Sequence, residues 1–113
     1  MKIKTREDAK TPVDISEWND EVKAYVKSLD IMERIIFNDQ LLEFHEKKND
    51  RNIRAEAGLS ICILALVGED GEPLLTLEDM DELKKAAFEP IGRVINVILE
   101  RVRGAEEEDS ENP

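Results

Sequence analysis

Residues 30–46, Asp-Ile-Met-Glu-Arg-Ile-Ile-Phe-Asn-Asp-Gln-Leu-Leu-Glu-Phe-His-Glu, form the stretch that decides the fold. Asp30 can accept hydrogen bonds from the free amides of a first helical turn, and Glu33 stands three positions later, as in a capping box. Apolar residues then recur at helical spacing, and one stripe consists of Ile31, Ile35 and Leu42. The stretch therefore predicts a long helix that starts after Asp30 and ends in the polar residues 46–50.

The apolar surface of this predicted helix is wider than the stripe that a surface helix usually buries. The residues that widen it are Met32, Ile36, Phe37, Leu41 and Phe44. A central helix that packs on two sides would carry such a surface, and so would a surface helix whose exposed apolar patch binds a partner. The sequence leaves these two alternatives open.

The next apolar segment, residues 54–67, is compatible with both helix and strand. Three alanines favour a helix, whereas Ile61, Ile63 and Val67 are β-branched and favour a strand. We expect this segment to begin as a helix and to end as extended chain. The state of residues 59–67 stays open.

The apolar segment is followed by a turn and a helix start. Asp70 and Gly71 lie in the turn sequence Gly-Glu-Asp-Gly, and Pro73 begins a short extended piece. Thr76 and Asp79 stand three positions apart, which predicts the start of another helix. That helix is expected to carry Leu77, Met80, Leu83, Ala87 and Phe88.

The last predicted helix lies between Pro90 and Gly104. Proline suits a first helical turn, where its missing amide costs nothing, and glycine after the last apolar residue is typical of a helix end. Residues 105–113 then contain five acidic residues, no basic residue and no large apolar residue. Such a segment cannot offset the entropy of ordering, so we expect a disordered acidic tail.

Two alternating segments precede the long helix. Val13 and Ile15 alternate with polar residues, Asn19 and Asp20 favour a turn, and residues 22–26 alternate again, which together predict a β-hairpin. Residues 1–12 are polar and are expected to form a flexible arm, or at most a short edge strand. The predicted fold class is therefore α+β: a mostly helical small domain at residues 13–104, with a short N-terminal β-hairpin, three to four helices and a disordered acidic C-terminal tail.

Composition excludes several classes of function. The chain has 113 residues, which suits one domain, and its 16 basic and 27 acidic residues give a net charge of −11. A field of that sign repels phosphate backbones and anionic lipid headgroups, so neither nucleic acid nor a membrane is expected as a partner. The single cysteine, Cys62, excludes an internal disulfide, and no apolar leader or membrane span is present. We expect a cytoplasmic protein.

Residues for catalysis are scarce. His45 lies near the end of the long helix, where an ordinary exposed histidine is expected, and Cys62 lacks the electropositive flanks that would lower a thiol pKa. Residues 69–72 resemble a calcium loop only superficially, because the ligand spacing does not fit. No zinc spacing, phosphate loop or nucleophile motif occurs. The sequence predicts a protein that is not an enzyme and uses no metal or cofactor.

The order of the predicted elements and the stretch around the turn resemble one known family. The pattern D-x-D-G-x-P-L-F-T-x-E-D, followed by an amphipathic helix, is typical of the tail assembly chaperones of long-tailed bacteriophages. The matching positions in this sequence are Asp70, Gly71, Pro73, Leu74, Thr76, Glu78 and Asp79. Gly68 and Leu75 depart from the pattern, and the resemblance covers residues 13–100.

The resemblance implies a non-enzymatic protein that coats the tape measure protein, a long helical rod, until tail tube subunits polymerise around it. It also implies a homo-oligomer in the bacterial host cytoplasm. Many weak contacts along one apolar rod would add up through avidity. The predicted partner-binding residues are Phe37, Leu41 and Phe44, with Trp18 and Tyr25 as aromatic anchors.

A second hypothesis comes from the charge alone. An acidic intracellular adaptor or an antitoxin-like protein would mask a basic protein partner with the 105–113 tail and the general negative field. That hypothesis predicts binding that weakens strongly with salt and is lost when the tail is deleted. The chaperone hypothesis predicts that apolar binding survives the same deletion.

Overall fold

Our computed structural model describes residues 1–3, 9–47 and 49–111, with side chains up to Gly104. In these ranges three short strands and four α-helices follow one another, so the predicted α+β class is confirmed. The strands are β1 (Lys10–Val13), β2 (Ala24–Lys27) and β3 (Leu66–Val67). The helices are α1 (Ile31–Glu46), α2 (Arg51–Ala65), α3 (Met80–Leu83), which continues a 3₁₀ turn at Leu77–Asp79, and α4 (Glu89–Glu111).

The sheet is antiparallel, with strand order β1-β2-β3. β1 and β2 form the predicted hairpin, in which Val13 pairs with Ala24 and Lys10 with Lys27. β1 therefore begins within residues 1–12, which were predicted to form a flexible arm or at most a short edge strand. For the residues of β1, the edge strand is the alternative that the structure shows. Residues 4–8 of that segment lie outside the described residues.

The predicted start and end of α1 are confirmed. A side-chain oxygen of Asp30 accepts a hydrogen bond from the Glu33 amide at 2.8 Å, and the Glu33 carboxylate accepts one from the Asp30 amide at 3.1 Å. These reciprocal bonds satisfy two amides that a helix start otherwise leaves unpaired. The helix ends at Glu46, at the polar segment that the sequence indicated.

Helix α2 resolves the ambiguity of residues 54–67. Asp50 caps its start by accepting from the Ile53 amide at 3.1 Å, and the helix continues to Ala65 before two residues of strand. Cys62 lies in its last turn and is 0% exposed. Burial raises the pKa of the Cys62 thiol to about 12, so the thiol stays protonated at neutral pH.

The core lies between α2, α4, one side of α1 and the inner face of the sheet. Its fully or nearly fully buried residues include Val26, Phe37, Leu59, Ile61, Leu66 and Val94. Phe44 of α1 approaches α2 so closely that a Cβ added at Gly58 would lie 3.2 Å from the Phe44 ring. The same Cβ would lie 3.0 Å from Ile91 Cγ2 of α4, so a side chain at position 58 would crowd both neighbours, which explains why glycine suits a helix interior there.

The third helix is shorter than predicted. It ends at Leu83, so Ala87 and Phe88 lie in the connection to α4. The carbonyl of Ala87 accepts a hydrogen bond from Trp18 Nε1 at 2.7 Å. This tertiary contact holds the connection in a non-helical path, which a local apolar pattern cannot indicate.

The prediction that Gly104 ends the last helix is wrong, because α4 continues to Glu111. Among the described glycines only Gly71 has a positive φ, so Gly104 does not adopt the left-handed conformation of a helix cap. Ala105 and the glutamates after it have high helix propensity, which favours continuation. The disorder predicted for residues 105–113 stays a prediction; the side chains from Ala105 onward, and residues 112–113 altogether, lie outside the described part.

The turn after β3 and the next helix start follow the sequence prediction. Asp70 accepts a hydrogen bond from the Glu72 amide at 3.0 Å, Gly71 has φ +81°, and Pro73 pairs with Val67 in an isolated bridge. Asp79 then accepts from the Thr76 amide at 2.8 Å. These bonds place Leu74 and Leu75 next to the β1–β2 loop.

Replacing Gly71 by alanine should lower the free energy of unfolding by about 1–2 kcal/mol, because a Cβ is strained at positive φ. Apart from adjacent residues and, for Gly92, the backbone of its own helix, no heavy atom lies within 4 Å of the Cβ position at either Gly71 or Gly92. Gly92 lies inside α4, so Gly92→Ala is the matched control and should raise the free energy of unfolding by about 0.5–1 kcal/mol. Urea unfolding followed by circular dichroism measures both, and a change of the same sign in the two variants would contradict the backbone argument.

Candidate protein-binding surfaces

One side of α1 is apolar and exposed to solvent. Ile31 is 80% exposed, Met32 67%, Ile35 50%, Ile36 43% and Leu42 56%. We call these five residues the outer face of α1. The sequence left open whether α1 packs on both sides or exposes an apolar patch, and the structure answers that it packs on one side only. Exposed apolar side chains grouped on one side of a helix are a candidate binding site.

The predicted contact residues of α1 do not lie on its outer face. Phe37 and Phe44 are 1% and 6% exposed and belong to the core, and Leu41 is half-buried against it. Phe44 also stacks on Phe88, with ring centroids 6.1 Å apart. A partner could reach the two phenylalanines only if the core opened. The reason is the phase of the helix: residues 37, 41 and 44 share one side, and the outer face of α1 is the other.

The two predicted aromatic anchors lie apart from each other. Tyr25 is half-buried on β2, where Lys10 Nζ lies 5.2 Å from its ring centroid. Trp18 lies in the β1–β2 loop, half-buried against the core, with its indole N–H bonded to Ala87. The five predicted residues therefore do not form one surface. Their role in partner binding stays a prediction.

Trp18 lines a groove that sequence reasoning did not indicate. The groove has a volume of about 260 Å³ and lies between the β1–β2 loop, the segment after the Gly71 turn, and α3. Its apolar lining consists of Ile15, Trp18, Val22, Leu74, Leu75, Leu83 and Ala86. Its polar lining consists of Glu17, Asn19, Asp79 and Glu82. We call it the Trp18 groove. The one signal in the sequence was the apolar pair Leu74-Leu75 beside a turn.

A salt bridge fixes one wall of the Trp18 groove. The Arg93 guanidinium on α4 donates to both carboxylate oxygens of Glu17, at 2.6 and 2.7 Å, and to the carbonyl of Asp14 at 3.1 Å. These bonds lower the pKa of Glu17, chiefly through the hydrogen bonds from Arg93. Hydrogen bonds from Ser16 likewise lower the pKa of Asp14. The β1–β2 loop is thereby tied to the start of α4.

The candidate catalytic residues are separated in the fold. His45 is exposed near the end of α1, whereas Cys62 is buried in α2. Within the described ranges, no group of three or more histidine, cysteine, aspartate or glutamate side chains could hold a metal ion. In the same ranges, no helix is long and apolar enough to cross a membrane. The outer face of α1 and the Trp18 groove are therefore the candidate protein-binding surfaces.

Comparison with known proteins gives a match at the level of structure. No protein-family model matches this sequence, and no curated protein is significantly similar to it. The fold is similar to the structure of the bacteriophage HK97 tail assembly chaperone, with a TM-score of 0.56. The alignment covers 87% of this chain and 85% of that chain, at 13% sequence identity. The resemblance to tail assembly chaperones is thus confirmed for the fold, over nearly the whole length of both chains.

Proposed function

We propose that this protein is a phage tail assembly chaperone that binds the tape measure protein and keeps it soluble in the host cytoplasm while the tail assembles. It acts by binding and not as an enzyme. The observation that carries the proposal is the outer face of α1, an exposed apolar helix surface on a chain whose fold is similar to that of a tail assembly chaperone.

The outer face of α1 suits a long helical partner. Its five residues lie within the twelve positions from Ile31 to Leu42, which span about 16 Å of helix. An amphipathic helix laid along such a surface would cover the apolar side chains of both partners. Because one contact of this size is weak, we propose that several copies act along one rod as a self-associating multimer. The net charge of −11 would then keep the coated rod soluble.

Co-expression tests the proposal. The chain is produced together with its candidate tape measure protein, and the soluble fraction is analysed by size-exclusion chromatography with light scattering. The expected result is a soluble rod that co-elutes with several copies of this chain. A rod that stays insoluble while this chain elutes alone would refute the proposal. Contact with tail tube protein is tested by adding that protein to the purified complex.

The second candidate function, an acidic adaptor or antitoxin-like protein that masks a basic partner, is supported by the charge of −11. Salt separates the two candidates. Apolar binding through α1 should persist at 0.5 M salt, whereas binding to the negative field should weaken strongly, since exposed charges are screened over less than about 10 Å above 0.1 M. Deleting residues 105–113 should leave the first kind of binding intact and abolish the second.

A further inference from the structure

We propose that the Trp18 groove is a second docking site, which takes a partner segment with one large apolar side chain flanked by lysine or arginine. The inference does not depend on the chaperone role or on the outer face of α1. It rests on the shape of the groove, its apolar lining and the sign of the charges around it.

The size of the groove limits the ligand. An apolar cavity of about 150 Å³ holds one benzene ring, so about 260 Å³ holds one or two large side chains. The walls contributed by Val22, Leu74 and Leu75 would contact such a side chain directly. Val22 is 39% exposed, so part of this apolar wall is open to solvent and would be covered on binding.

The charges around the groove favour basic residues next to the bound apolar side chain in the partner segment. Its lining contains three carboxylates and no cation. The Glu17 carboxylate is neutralised by Arg93. Asp79 accepts hydrogen bonds from Thr76, but among the described residues neither Asp79 nor Glu82 forms a salt bridge, so both keep their negative charge uncompensated in the groove lining. Residues 77–83 carry four acidic residues and no basic one. Lysine or arginine beside the apolar anchor would therefore be attracted, whereas an acidic segment, a nucleic acid or an anionic membrane would be repelled.

Trp18 provides a direct readout, because it is the only tryptophan of the chain and lines the groove. The probe is a short helical peptide of leucine and lysine without aromatic residues. Two matched peptides replace lysine by glutamate or leucine by serine. At low salt the first peptide should shift the Trp18 emission and bind with saturation. The other two should bind at least about tenfold more weakly, since each lacks one of the two contacts.

Two substitutions locate the binding. Glu82→Lys should weaken the leucine-lysine peptide about tenfold, whereas Glu100→Lys, an equal charge change at an exposed position of α4, should change binding less than about twofold. Val22→Ser should weaken it about threefold to tenfold without unfolding the chain, because Val22 is partly exposed. Circular dichroism checks the fold of each variant.

Three outcomes would overturn the proposal. The first is that the peptide leaves the Trp18 emission unchanged. The second is that Glu82→Lys and Glu100→Lys weaken binding equally, which would mean attraction to the whole negative surface. The third is that Ile35→Asp abolishes binding while Val22→Ser does not, which would place the peptide on the outer face of α1. Failure of the rod co-expression experiment would leave all of these results unaffected.

Discussion

Phe37→Ala is expected to lower the free energy of unfolding by about 3–5 kcal/mol, the range found when a buried aromatic side chain is cut back to a methyl group. Phe37 is 1% exposed and is the largest of the fully buried side chains. The loss combines the transfer free energy of the ring with the cavity that remains between α1 and the rest of the core. Small domains are stable by only about 5–15 kcal/mol, so this single change would remove a large share.

The matched control lies two residues earlier on the same helix. Ile35 is 50% exposed, so Ile35→Ala should change the free energy of unfolding by no more than about 0.5 kcal/mol. Urea unfolding followed by circular dichroism measures both variants. Equal losses would mean that the two sides of α1 are buried to a similar extent in solution, and the outer face of α1 would no longer be a free surface.

The double variant Ile31→Asp, Ile35→Asp is expected to abolish solubilisation of the tape measure protein and to weaken its binding at least about a hundredfold. Two carboxylates would replace apolar contacts on the proposed surface, and a charge buried without a partner costs several kcal/mol. The fold should persist, because both side chains are at least half exposed. The measurement is co-expression with the rod, together with unfolding of the variant alone.

A second variant separates lost apolar contact from added charge. Ile31→Asn with Ile35→Asn removes the same apolar contacts without adding charge. It should fail to solubilise the rod, as the aspartate variant does. If the asparagine variant works normally while the aspartate variant fails, charge on α1 and not its apolar surface controls binding. If both variants work normally, the outer face of α1 is not the contact surface.

Local signals made much of the fold predictable. The Asp30 and Glu33 bonds, the Gly71 turn and the Asp79 bond each depend on residues at most three positions apart, so the sequence contains all the information they need. The hairpin was also predictable, because alternating residues such as Ala24 and Val26 face the core and a turn sequence precedes them, although its strands pair residues 11 to 17 positions apart. In such elements, the residues that form the recognisable sequence pattern are the same residues that stabilise the local structure.

The orientation of α1 could not be predicted in the same way. Apolar residues surround this helix, so both Ile35 and Phe37 were reasonable candidates for the buried side. The choice depends on which side meets α2, and that is decided by contacts between elements distant in sequence, such as Phe44 with Gly58. The Trp18 groove likewise combines three segments separated by up to about seventy residues, and no local pattern marks it.

The labelling rate of the buried Cys62 thiol measures how often the core opens. A protonated thiol with no solvent exposure cannot react with a disulfide reagent, so modification must wait until α2 separates from its neighbours. The rate of labelling in native buffer would therefore report how often the molecule opens, without any engineered probe. A rod bound along α1 should slow that labelling, because ligands that bind only the closed state make opening rarer.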